Sequence, residues 1–179
     1  KLVEQSSEQL LRLSMELGGN APFLVFEDAD IDAAVAGAML AKMRNIGEAC
    51  TSANRFFVHE SVAAEFSEEF AARMGALTVG KGTVKGVEVG PLITEKARAG
   101  VDELVQDAVA KGARALTGGA PVPGKGFFYA PTVLVDVTVD MPVMAEETFG
   151  PAAAVIAFDT DRDAARLANL TPYGLGASV

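Results

Sequence analysis

Short apolar runs alternate with stretches of helical spacing along nearly all of this chain, and no other feature restricts its fold as much. Pro22 to Phe26, Arg55 to Val58, Ala113 to Leu116, Thr132 to Val137 and Ala152 to Phe158 have the length and apolar content of strands. Between them, Ile31 to Met43, a segment capped by Ser61, Thr94 to Lys111 and Asp161 to Asn169 carry the helical pattern. In the segment after Ser61, Val62, Phe66, Phe70 and Met74 recur every four residues and line one face of a helix. Glu27, Asp28 and Asp30 offer capping carboxylates to the helix that starts near Ile31. Gly80 to Pro91 and Gly118 to Gly126 are too rich in glycine and proline to be anything but loops. Strands and helices in this order predict an α/β fold in three layers, a largely parallel twisted sheet with helices on both faces.

The first twenty residues read differently. Lys1 to Gln9 is polar and helix-compatible; then Leu11, Leu13 and Met15 alternate with Arg12, Ser14 and Glu16, the period-2 pattern of a half-buried strand that ends at Gly18-Gly19. Lys1 stands inside that helical stretch and Val179 closes an apolar strand signal begun at Gly176, so the chain is expected to be part of a longer protein. With 179 residues, half of them hydrophobic, it can bury a core of ordinary domain size. A net charge of -9 argues against nucleic acid or anionic membranes as partners. One cysteine allows no internal disulfide, and no apolar run reaches the ~18 residues of a membrane span, so a reducing cytoplasm is the expected location. No cluster of histidines and cysteines supports a metal site.

Five residues carry candidate chemistry, each with a plainer structural role beside it. Cys50 sits in a helix-to-strand turn among Gly47, Ala49, Ser52 and Ala53, small neighbours that let a substrate reach a thiol nucleophile; the alternative is a cysteine packed as a small hydrophobe. Glu16 precedes Gly18-Gly19 at an expected strand end, where parallel sheets present functional groups, or it is a solvated carboxylate. Glu147 and Phe149 set a carboxylate two residues before an aromatic ring, suited to a sugar hydroxyl beside a flat ring, or they belong to an acidic helix cap. Arg44, six residues before Cys50, has the rigid fork that pairs with carboxylates, or it is a surface cation at a helix C-terminus. His59, the only histidine, closes a strand beside Ser61 and reads as structural.

Met15-Glu16-Leu17-Gly18-Gly19-Asn20, Asn45-Ile46-Gly47-Glu48-Ala49-Cys50 and Glu147-Thr148-Phe149-Gly150-Pro151 together resemble the general-base, nucleophile and nicotinamide-side motifs of the aldehyde dehydrogenase superfamily, in that order. Gly90-Pro91-Leu92 and Tyr129-Ala130-Pro131-Thr132 also fit, so the likeness spans the chain. It implies two parts: residues 1–17, the last helix and strand of an NAD(P)-binding domain, and residues 18–179, a catalytic domain. Lys42-Met43-Arg44-Asn45 resembles the succinate-semialdehyde dehydrogenases, in which the matching arginine helps bind the distal carboxylate. Many of these carry a second cysteine two residues after the nucleophile; Ser52 stands there, so a disulfide switch is not expected.

The resemblance implies that Cys50 attacks an aldehyde carbon, the Cys50 N–H and an asparagine outside this chain hold the oxyanion, and hydride passes to NAD or NADP. Glu147 would anchor the nicotinamide ribose, Phe149 would contact the ring, and Leu17 would lie on the cofactor side. Glu16 would then activate water against the Cys50 thioester, a role that calls for partial burial of its carboxylate. No glycine-rich phosphate turn follows a strand here, so the isolated chain is expected to bind dinucleotide poorly and to be inactive alone. The full-length protein is expected to be a homo-oligomer acting on a small aldehyde. Two rival readings stay open at this point: a cofactor-independent cysteine acyl hydrolase, and a non-catalytic α/β interaction module in which Cys50 only packs.

Overall fold

A computed structural model describes residues 1–179. Five strands, β1 (Ala21–Val25), β2 (Ala53–His59), β3 (Arg114–Thr117), β4 (Thr132–Val135) and β5 (Ala152–Phe158), form one sheet in the order β1-β2-β5-β4-β3. The first four positions in that order run parallel and β3 pairs antiparallel at the edge. The helices are α1 (Leu2–Ser7), α2 (Ile31–Met43), α3 (Glu60–Gly75), α4 (Glu95–Ala110), α5 (Pro142–Ala145) and α6 (Asp161–Ala168).

Alternation along each strand builds two separate cores. Phe23, Val25, Phe56, Val58, Val133, Ala153 and Val155 face α2 and α3, where Val35, Ala38, Phe66, Phe70 and Met74 meet them. Leu24, Phe57, Leu134, Ala152 and Ala154 point the other way, against Val101, Val105, Met144 and Leu167 of α4, α5 and α6. Residues one apart therefore land in different layers, as a pleated strand requires. Phe56 lies 5.3 Å from Phe23 and 5.0 Å from Phe70 by ring centroid, so aromatic packing joins β1, β2 and α3. The helix starts are capped as their sequences suggest: Asp30, Thr94 and Thr160 accept from the backbone N–H groups of Ala33, Ala97 and Asp163. On α3 the cap is two residues earlier than expected: the His59 ring accepts the Ser61 N–H at 3.3 Å, and the Ser61 hydroxyl supports it at 2.7 Å.

One expectation of the fold needs correction. No strand forms over residues 11–16; the segment is irregular and exposed, and Glu16 stands in it rather than at a strand end. A strand needs a hydrogen-bonding neighbour, and no backbone in the chain runs beside these residues; the open edge of β1 pairs instead with Ser178. The short helix α5, with Pro142 at its start, also carried no periodic signal long enough to be read from sequence. No helix is long and apolar enough to cross a membrane.

Candidate active site

Strand order explains why three distant segments meet. β1, β2 and β5 are neighbours, and the register aligns Ala21 with Ala53 and Arg55 with Ala154. Gly18-Gly19 leads into β1, Cys50 leads into β2 and Glu147–Gly150 leads into β5, so all three stand at the amino ends of adjacent parallel strands. Parallel sheets more often bind ligands at the carboxyl ends.

The backbones at this corner are in close contact. A methyl group on Gly19 would fall 1.9 Å from the Cys50 carbonyl oxygen, and one on Gly47 would fall 2.3 Å from the Gly150 carbonyl oxygen. Only glycine permits either approach. Gly47 also has φ +82°, after Asn45 and Ile46, both at φ 54°. Left-handed geometry at a β-branched residue such as Ile46 stores roughly 1–3 kcal/mol. This tight left-handed turn reverses the chain between α2 and Cys50, and the Asn45 side chain braces it by donating to the Glu48 carbonyl at 2.7 Å. Cys50 itself is half-buried, and its backbone N–H donates no hydrogen bond within the chain, leaving it free for a developing oxyanion.

Across from the thiol, Glu147 is half-buried and its Oε1 accepts the Gly19 N–H at 2.9 Å. Its Oε2 has no hydrogen-bond partner, and a methyl group at Gly18 would stand 3.0 Å from that oxygen. Phe149 exposes 42% of its surface. One uncommitted carboxylate oxygen beside an accessible ring suits the sugar hydroxyls and flat ring of a nicotinamide riboside, so these residues fit that end of a dinucleotide. Leu17 is 68% exposed in the preceding segment. Next to the corner lies a cavity of about 330 Å³, lined in part by Asn20, Asn169, Thr171, Tyr173 and Leu175. A larger one, about 590 Å³, lies between β1 and α2 and touches none of these groups.

The corner thus brings together Cys50, Glu147 and Phe149 with Gly18-Gly19. Glu16 lies three residues before Gly19, within about 10 Å of extended chain, and its exposed side chain makes no hydrogen bond or ion pair. The partial burial expected of it is absent because nothing packs on residues 10–17. Arg44 ends α2 with its guanidinium exposed and unpaired. His59 is structural, stacked edge-on to Phe158 at 5.5 Å. No group of three or more His, Cys, Asp or Glu side chains is arranged to hold a metal ion.

Sequence reading missed two buried cations that frame the corner. Lys42 is fully buried at the end of α2, and its Nζ donates to Asn54 Oδ1 at 2.7 Å and to the Thr148 carbonyl at 3.4 Å. Burial lowers its pKa to about 7, against the opposing pull of the Glu147 charge. Arg55 is also buried, donating through Nε to the Asn20 carbonyl and through Nη1 and Nη2 to the Leu167 and Ala168 carbonyls at the end of α6. No carboxylate pairs with it; the helix C-terminus supplies the partial negative charge. The signal was available for Lys42, which continues the stripe of Val35 and Ala38 at helical spacing.

Comparison with known proteins places this geometry in context. Residues 1–179 match the family model described as "Aldehyde dehydrogenase family". A "Succinate-semialdehyde dehydrogenase" from Paenarthrobacter nicotinovorans is 59% identical over 177 residues, covering 99% of this chain and 39% of the relative. A "Glutarate-semialdehyde dehydrogenase" from Pseudomonas putida is 44% identical, covering 99% of this chain and 36% of the relative. The crystal structure of succinate-semialdehyde dehydrogenase from Burkholderia pseudomallei superposes with a TM-score of 0.93 at 49% identity, covering 98% of this chain and 36% of that one. The chain therefore spans well under half the length of these relatives, and its mainly parallel sheet and flanking helices match their catalytic-domain architecture.

Proposed function

The chain belongs to the aldehyde dehydrogenase family, and on that premise we propose that the full-length protein oxidises an aldehyde bearing a distal carboxylate, succinate semialdehyde foremost, to the corresponding acid with NAD or NADP. In this reading residues 1–17 belong to the dinucleotide-binding domain and residues 18–179 to the catalytic domain. The observation that supports it best is the convergence of Gly19, Cys50 and Glu147 at one sheet corner.

The Cys50 sulfur attacks the aldehyde carbon and forms a thiohemiacetal, whose oxyanion accepts the free Cys50 N–H. Glu147 holds a ribose hydroxyl through its uncommitted oxygen, while Leu17 and Phe149 border the ring. The bound dinucleotide supplies the hydride acceptor. Loss of hydride from the carbon leaves an acyl thioester on Cys50. Glu16 takes a proton from water, the hydroxide adds to the thioester, and the acid departs as the Cys50 thiolate is released. Arg44, exposed and unpaired, receives the distal carboxylate of the substrate.

Steady-state kinetics of the full-length protein with succinate semialdehyde, glutarate semialdehyde and butanal, each with NAD and NADP, test this reading. The expected pattern is a preference for the acid aldehydes that Arg44→Met reduces by raising their KM about 10-fold or more, the weight of one charge-assisted contact, with butanal unaffected. Equal kcat/KM for butanal and the acid aldehydes would overturn the substrate assignment, and turnover that needs no dinucleotide would overturn the reaction.

A further inference from the structure

The reaction as written uses neither of the two buried cations at this corner, and of the two only Lys42 touches the Glu147–Gly150 turn. An ammonium inside packed hydrocarbon is costly, and a leucine or methionine would fill the same stripe of α2 without that penalty. Its contacts show what the charge does there. Nζ reaches Asn54 at the start of β2 and the Thr148 carbonyl in the turn before β5, the two strands whose amino ends form the corner. The Lys42 carbonyl accepts the Ser52 hydroxyl at 3.4 Å, two residues past the nucleophile. The Lys42 Cε lies 3.1 Å from where a methyl group on Gly47 would stand, directly under the left-handed turn. The Thr148 hydroxyl, though buried, has no partner of its own, so the turn from Glu147 to Gly150 is held by its backbone and not by that side chain. The one charged group whose field Lys42 feels is Glu147.

We propose that Lys42 is a positioning residue: its ammonium ties the Glu147–Gly150 turn to the start of β2, just past Cys50, and thereby sets where the Glu147 carboxylate stands. The proposal builds on Glu147 as the ribose ligand, and adds that the ligand's place is controlled from beneath by α2. It acts on dinucleotide binding and leaves the chemistry of Cys50 to other groups.

The test uses the full-length protein with Lys42→Met, which keeps the stem and removes the donor, and Lys42→Gln, which keeps a neutral donor. Amide hydrogen exchange of residues 146–151, measured without dinucleotide, is expected to quicken about 10-fold in Lys42→Met, the size of one hydrogen bond to a charged group, with β2 and β5 unchanged. Calorimetric Kd and KM for the dinucleotide are expected to rise about 10-fold while the KM for aldehyde stays within about 2-fold, and Lys42→Gln is expected to recover part of the loss. Unchanged exchange in a folded variant overturns the positioning role. If Lys42→Met does not fold, Lys42→Gln carries the same comparison. Faster exchange with wild-type dinucleotide affinity upholds the tie from Lys42 to the turn and overturns the assignment of Glu147 as ligand, so the two readings fail separately.

Discussion

On one side of Cys50, the backbones of Gly19, Gly47 and Gly150 press so closely on their neighbours that no side chain fits between them. On the other, Leu11 is 59% exposed, Met15 43% and Leu17 68%, and the backbone joins no ladder. Cys50 and Glu147 are thus fixed by contacts within the chain, whereas the segment carrying Glu16 has no packing of its own. Substitutions on the two sides are expected to fail in different currencies: stability at the glycine corner, turnover at the base segment.

Glu16→Gln gives the largest contrast. In the full-length protein it is expected to lower turnover by ~10²–10⁴-fold, the range of a general base, while moving the stability of the 179-residue chain by less than about 0.5 kcal/mol. A melting temperature lowered by many degrees would show that Glu16 is packed after all. Gly19→Ala and Gly47→Ala sit on the other side of the comparison. Each forces apart backbones that now touch, which costs about 1–3 kcal/mol and lowers the melting temperature by about 2–12 °C. Thermal unfolding followed by circular dichroism checks this, and wild-type melting in both would break the picture of a packed corner.

Lys42 gives an effect that depends on pH. Its pKa is about 7 in the folded chain against 10.5 when unfolded. Between these values the unfolded chain holds a proton that the folded chain does not, so the Lys42 contribution makes stability rise with pH from about 7 to about 10.5. Below pH 7 both states are charged and the contribution is flat. Urea unfolding of the wild type and Lys42→Met across that window isolates it: the difference in stability is expected to shift steadily in favour of the wild type as pH rises. A pH-independent difference would contradict burial of the ammonium. The smallest effect belongs to Leu13→Ser, expected to stay within about 0.5 kcal/mol because that side chain is already 42% exposed.

The same contrast divides what was legible in the sequence from what was not. Strand β5 and helix α2 have the bounds that their apolar runs and caps suggest, because burial on both faces of a parallel sheet and a carboxylate before a helical stripe are local signals. The alternation of Leu11, Leu13 and Met15 was equally local and misled, since a period of two specifies a side without supplying a neighbouring strand. The motifs around Glu16, Cys50 and Glu147 could be recognised one by one. Where Cys50 and Glu147 meet could not, because it depends on β5 inserting beside β2 and on a register that levels the amino ends of three strands. Arg55 escaped notice for a related reason: its partners are carbonyls at Asn20 and at the end of α6, more than a hundred residues away in the latter case.

In the proposed reaction Cys50 carries the acyl group and Glu16 releases it. Full-length Glu16→Gln mixed rapidly with succinate semialdehyde and dinucleotide, quenched in acid and mapped by mass spectrometry, is expected to show a succinyl adduct accumulating on the peptide that contains Cys50, with one equivalent of reduced dinucleotide formed in a burst. An adduct on any other residue, or turnover at the wild-type rate with no adduct, would contradict it.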